Sequence, residues 1–191
     1  MLRKPHIALS LVALMAASAA SAQAVPEVSR RIVLSGNAPS ACLIANPTSE
    51  TGTNASFSSQ SSASGRIAIT QLVDPVSSAA MASGLAIDLP VICNTSHVLT
   101  VRSANGGLAH AGSTQGAPAN GGFREFLPYQ FSVDWGGQSL TQGSDAGTAQ
   151  IALASAMQGT ARIAFATVPG GAPLVSGQYT DSLIIELAPT N

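Results

Sequence analysis

Charge and aromatic rings are both scarce in this chain: 9% of its 191 residues are Asp, Glu, Lys or Arg, and 4% are Phe, Trp or Tyr. Lys4 is the only lysine. Neutralising a phosphate backbone needs a basic stripe, and none exists, so nucleic acid is excluded as an expected partner. Two cysteines and three histidines are too few and too scattered for a tetrahedral zinc site. Neither a Gly-x-Ser-x-Gly elbow nor a glycine-rich phosphate loop with its lysine is present. The chain therefore reads as not an enzyme, with no catalytic residue, metal or cofactor expected. What is plentiful is aliphatic and uncharged polar: 46% of residues are hydrophobic and the formal net charge is −1. Such a chain has ample apolar material to bury, which argues against disorder.

The start of the chain has the layout of a secretory signal peptide. Arg3, Lys4 and His6 precede an apolar run from Ile7 to Ala20, which ends in Ser21-Ala22-Gln23-Ala24. The run is shorter than the roughly 20 residues that span a bilayer. Residues 1–24 are expected to be removed, with cleavage after Ala22 or Ala24, and the mature chain to be exported. It then carries six arginines against nine carboxylates, a formal −3.

Period-two alternation dominates the mature sequence, as half-buried strands demand, and predicts an all-β fold. Tyr129, Phe131, Val133 and Trp135 share one parity, with Gln130, Ser132 and Asp134 on the other. The same rhythm runs through Ile87-Leu89-Val91-Cys93, Leu99-Val101, Ile163-Phe165 and Leu183-Ile185-Leu187, which are the expected core. Turn clusters separate them: Asn94 to Ser96, Asn105 to Gly107, Gly136-Gly137, Gly143 to Gly147 and Pro169 to Gly171. Short strands with such punctuation suggest a β-sandwich or barrel. The soft stretches 49–65 and 104–122 read as long surface loops or weak edge strands, and 75–84 as at most one helical turn.

Cys42 and Cys93 are expected to pair in an oxidising compartment, which by chain entropy stabilises the fold by about 4 kcal/mol. His97 and His110 sit in no ligand or base spacing and read as loop or packing residues. Asp134 beside Trp135 has the makings of a sugar-stacking platform, against the plainer reading of a core ring with a solvent-facing neighbour. Asn54-Ala55-Ser56 and Asn94-Thr95-Ser96 fit the glycosylation pattern, which arises often by chance in a Ser/Thr/Asn-rich chain.

Segment 25–36 is a candidate strand ahead of the main domain, residues 37–191. Val28, Arg30, Ile32 and Leu34 share one parity. It is either the first strand of its own sandwich or an extended peptide that completes the sheet edge of a neighbouring molecule.

Four pieces stand in a telling order: Ala41-Cys42-Leu43-Ile44, Leu89-Pro90-Val91-Ile92-Cys93-Asn94, Leu127 to Val133, and Ser176-Gly177-Gln178-Tyr179-Thr180-Asp181-Ser182 running into Leu183-Ile184-Ile185. Together they resemble the spore-coat-U-type pilin domain of archaic chaperone–usher pili over roughly residues 28–188. The motif of Gly177, Tyr179 and Asp181 is the most specific part. Phe57-Ser58 stands where such domains often carry a Phe-Gly turn. The resemblance implies an immunoglobulin-like sandwich lacking one strand and completed by donor-strand complementation. Val28, Arg30, Ile32 and Leu34 would be donated to a neighbouring subunit. Leu183, Ile185 and Leu187 would flank the groove and meet a periplasmic chaperone. The implied function is a structural subunit of a surface pilus, supporting adhesion or biofilm formation, with neighbouring pilins, chaperone and outer-membrane usher as partners. Its route would lead through the periplasm to the cell surface. The alternative is a self-contained secreted β-sandwich binding module, for carbohydrate.

Overall fold

The structure is a computed structural model that describes residues 28–111, 113 and 121–190. The expected signal peptide and both cleavage positions lie outside the described residues, as does the beginning of segment 25–36. The chain divides into two units, residues 1–37 and 38–191, each taken by itself.

The larger unit is all-β, built from antiparallel sheets. Its strands are β1 (Cys42–Ile44), β2 (Ser49–Thr53), β3 (Ala55–Ser61), β4 (Ser64–Ile69), β5 (Gly84–Cys93), β6 (His97–Ser103), β7 (Leu108–His110), β8 (Phe126–Leu127), β9 (Tyr129–Trp135), β10 (Gln138–Gly143), β11 (Thr148–Leu153), β12 (Met157–Thr167), β13 (Tyr179–Thr180) and β14 (Leu183–Pro189). One sheet runs β1-β5-β12-β9-β10, with β2 also on β5; the facing sheet runs β11-β6-β14. A small sheet β13-β7-β8 and a hairpin β3-β4 complete the unit.

Alternation decides which side of each strand is buried. Along β5, Leu85, Ile87, Leu89, Val91 and Cys93 are buried while Asp88 and Pro90 are not. On β9 the buried set is Tyr129, Phe131, Val133 and Trp135, and β12 adds Ala161, Ile163 and Phe165. The facing sheet contributes Leu99, Val101, Ala149 and Ile151 to the same core. Two apolar faces packed across one core is consistent with a β-sandwich. Gly136 and Gly137 turn β9 into β10 at φ of 59° and 78°, a pair of positive values that a two-residue hairpin requires and a side chain resists.

Three softer segments of the sequence take these forms in the structure. The soft stretch 49–65 takes the second of its two readings, weak edge strands: it forms β2, β3 and the start of β4, with its serines and threonines on an exposed hairpin and edge where polar side chains cost nothing. At 75–84 the chain makes a single turn and goes no further: Ser78 N–H donates to Asp74 O at 2.8 Å, and Asp74 Oδ1 caps the turn by accepting from the backbone N–H of Val76 and Ser77 and from Ser77 Oγ. Residues 28–37 form no strand, since a strand exists only through a paired edge and these residues have no ladder partner among the described residues.

Candidate functional site

Strand β14 ends the facing sheet with one side unpaired among the described residues. Its partner β6 is registered Leu183 to Ser103, Ile185 to Val101 and Leu187 to Leu99. Two hydrogen bonds bracket this ladder: Ala104 N–H donates to Ser182 O, and Thr190 N–H donates to Ser96 O, both at 2.8 Å. In an antiparallel ladder only alternate residues bond to a given neighbour. Ser182, Ile184, Glu186, Ala188 and Thr190 therefore bond to the β6 side. The backbone N–H and C=O groups of Leu183, Ile185 and Leu187 point the other way, to the open edge. Pro189 closes the strand; it has no N–H to offer, as befits a residue on an edge.

The same three residues bring apolar side chains. Leu183, Ile185 and Leu187 lean on the main core yet stay only partly buried, whereas their neighbours Leu99 and Val101 on β6 are 1% and 0% exposed. On the other side of this edge lies β1, which is hydrogen-bonded to β5 and not to β14 among the described residues. The edge thus combines unpaired backbone groups with a half-covered apolar row. Both are unfavourable in water, and both match what an added strand supplies.

The motif residues Gly177, Tyr179 and Asp181 fix where β14 begins. One carboxylate oxygen of Asp181 accepts from Asn105 N (2.9 Å) and Ser182 N (2.7 Å); the other accepts from Tyr129 Oη (2.8 Å) and Ser103 Oγ. That carboxylate ties the end of β6, the start of β9 and the entry to β14 into one knot. Burial, and then the hydrogen bond and negative charge of Asp181, push the Tyr129 phenol well above its ordinary pKa. Tyr179 sits opposite His110 across β13 and β7, and its hydroxyl lies 2.9 Å from the carbonyls of both Arg124 and Val175. Burial raises its pKa as well. Gly177 has φ 149°, and a Cβ there would collide with the His110 imidazole. These contacts give the motif a positioning role.

Cys42 and Cys93 form a disulfide, directly opposite one another in the β1 and β5 pairing. The bond tethers the short β1 to the sheet beside the open edge.

In the smaller unit, Val28, Ile32 and Leu34 are 92%, 76% and 92% exposed, and Arg30 and Arg31 are also exposed. An apolar row at strand spacing stands fully in solvent there.

Other sequence candidates take structural roles. Trp135 is 2% exposed, so it offers no face to a sugar, and its Nε1–H donates to His97 Nε2 at 3.0 Å. Both sequon asparagines spend their side-chain nitrogens internally: Asn54 Nδ2 on Gln71 O and Ser83 Oγ, Asn94 Nδ2 on Pro39 O. Among the described residues no cluster of three His, Cys, Asp or Glu side chains is arranged to hold a metal. His97 is the packing residue that the sequence allowed, though its bond to Trp135 was not legible, and the role of Asn54 was missed by sequence reasoning. Asn54 shows a positive φ of 55°, and its place just before a strand is the one signal that hinted at it.

No family model matches the chain, and neither a curated protein nor a solved structure matches it.

Proposed function

We propose that this chain is a structural, non-enzymatic subunit of a surface pilus, an immunoglobulin-like pilin sandwich assembled by the chaperone–usher route. The observation that carries the reading is the open edge of β14, where Leu183, Ile185 and Leu187 present unpaired backbone groups and partly buried side chains together. Its ligand is an extended apolar strand, and the exposed Val28, Ile32 and Leu34 of another copy, with Arg30 between them, have the matching period. Exchange then proceeds by strand addition: a periplasmic chaperone covers the edge first, an outer-membrane usher brings subunits together, and the leading segment of the next subunit replaces the chaperone. The assembled polymer lies at the cell surface and supports adhesion or biofilm formation. Low charge and the lack of lysine beyond Lys4 suit a surface that is packed between subunits.

The test is self-association of the mature chain, with and without residues 25–36. The intact chain is expected to grow in mass with concentration by light scattering, and the truncated chain, which accepts a strand but has none to give, to stop that growth when mixed in. An intact chain that stays monomeric, together with a truncated chain that loses its thermal stability, would show a closed sandwich and end the reading.

A further inference from the structure

We infer that Arg31 of the incoming segment pairs with Glu186 of the receiving subunit, and that this pair sets the register of the added strand as antiparallel to β14. The inference rests on the strand-addition reading above and adds to it a named residue pair and a direction.

Glu186 is the only acidic side chain on β14. It is exposed and takes part in no hydrogen bond or ion pair among the described residues. Residues 28–37 carry two charges, Arg30 and Arg31, and no carboxylate. With Val28, Ile32 and Leu34 turned toward the core, Arg31 falls on the opposite, outward parity. Glu186 is outward too, since Ile185 and Leu187 on either side of it lean on the core. A strand placed with Arg31 opposite Glu186 therefore keeps both alternations in phase.

The backbone agrees. In the antiparallel arrangement that pairs these two, Ile32 stands opposite Ile185, Leu34 opposite Leu183 and Arg30 opposite Leu187. Those are the β14 residues whose N–H and C=O groups face the open edge, so each becomes a hydrogen-bonded pair. Arg31 and Glu186 are then a non-hydrogen-bonded pair, the kind whose Cα atoms approach to about 4.5 Å and whose side chains meet most closely. Their outward neighbours match as well: Val33 faces the partly buried Ile184, and Ser29 faces Ala188. A slip of two residues puts Arg31 against Ile184 or Ala188 and leaves Glu186 against Ser29 or Val33. Val28 reaches Pro189, where the missing N–H ends the ladder. Arg30, inward but next to that end, lets its aliphatic stem cover Leu187 while the guanidinium reaches water.

The experiment compares self-association of four full mature chains at low salt: wild type, Arg31→Glu, Glu186→Arg, and the double charge swap, each first checked for an unchanged melt. Each single reversal is expected to weaken association about three- to tenfold, the double to restore it to within about twofold, and the differences to shrink at 1 M salt. Association that is equal in all four chains, or a double swap as weak as the singles, overturns the pairing while strand addition stands. A wild-type chain that never associates overturns both. Both positions are exposed, so a variant that fails to melt like wild type is replaced by the charge-neutral Arg31→Gln or Glu186→Gln, for which a loss of about two- to threefold is expected.

Discussion

Trp135 donates its indole N–H to Nε2 of His97 at 3.0 Å, with both residues buried in the core. Because Nε2 accepts this proton, the other ring nitrogen carries the imidazole hydrogen and donates it to Thr95 O at 2.9 Å. The lone tryptophan and one of the few histidines thus complete each other's polar needs inside an otherwise apolar sandwich. Replacing either partner strands the other. His97→Ala is expected to destabilise the fold by about 2–4 kcal/mol, from the cavity and the orphaned indole N–H. Trp135→Phe should cost about 3 kcal/mol by lost burial and an unsatisfied imidazole nitrogen. Urea unfolding of each variant checks both; a loss under 1 kcal/mol in either would deny the pair its role.

The Asp181 knot makes a sharper demand, since all four of its neighbours are donors. An asparagine has the same shape but must turn its NH2 toward the Tyr129 and Ser103 hydroxyls, which then have to accept instead of donate, and it gives up the charge that strengthens all four bonds. Asp181→Asn is therefore expected to destabilise by about 2–3 kcal/mol, nearly as much as Asp181→Ala. Thermal melts compare the two, and an asparagine variant as stable as wild type would show that shape alone holds the entry to β14.

Alkaline pH probes the same knot from the side of Tyr129. Its phenol is raised in the folded state, so the folded chain holds a proton that the unfolded chain gives up near pH 10. Stability is fully present below that value and falls as pH rises beyond it, by at most about 1.4 kcal/mol per pH unit for each raised tyrosine. Tyr179, also raised, contributes in the same sense. Denaturant melts between pH 8 and 11 should show the decline in wild type and a shallower one in Tyr129→Phe; parallel declines would assign the effect elsewhere.

The Cys42–Cys93 bond closes a loop with a sequence separation of 51. On the chain-entropy model, replacing both cysteines by serine should cost about 4 kcal/mol. β1 has three residues and no ladder partner besides β5 among the described residues, so hydrogen exchange should quicken first over 41–45. Uniform exchange across the sheet in the serine variant would show that β1 holds its place without the tether.

The core strands were legible because alternation over four or more residues leaves little choice. The parities of Ile87 to Cys93 and Tyr129 to Trp135 predict their buried faces. The hairpin of β3 and β4 was legible only as a loop or weak edge strand, because Ala55–Ser61 is mostly serine and its strand character comes from pairing with Ser64–Ile69 more than from its half-buried Ala55 and Phe57. The candidate site was legible in part. Leu183, Ile185 and Leu187 could be read as an apolar row, but which way their backbone groups point depends on the register with β6, which no local pattern encodes. Glu186 drew no notice for the same reason: a single charge on a strand acquires meaning only when the open side of that strand is known.

Amide hydrogen exchange at Leu183, Ile185 and Leu187 of the mature chain, followed from dilute to concentrated solution, addresses the central claim most directly. Fast exchange at these three amides in the monomer, turning to strong protection as subunits associate, is the predicted result. Protection that is already complete in a dilute monomer, or exchange that stays fast in an associated one, would contradict it.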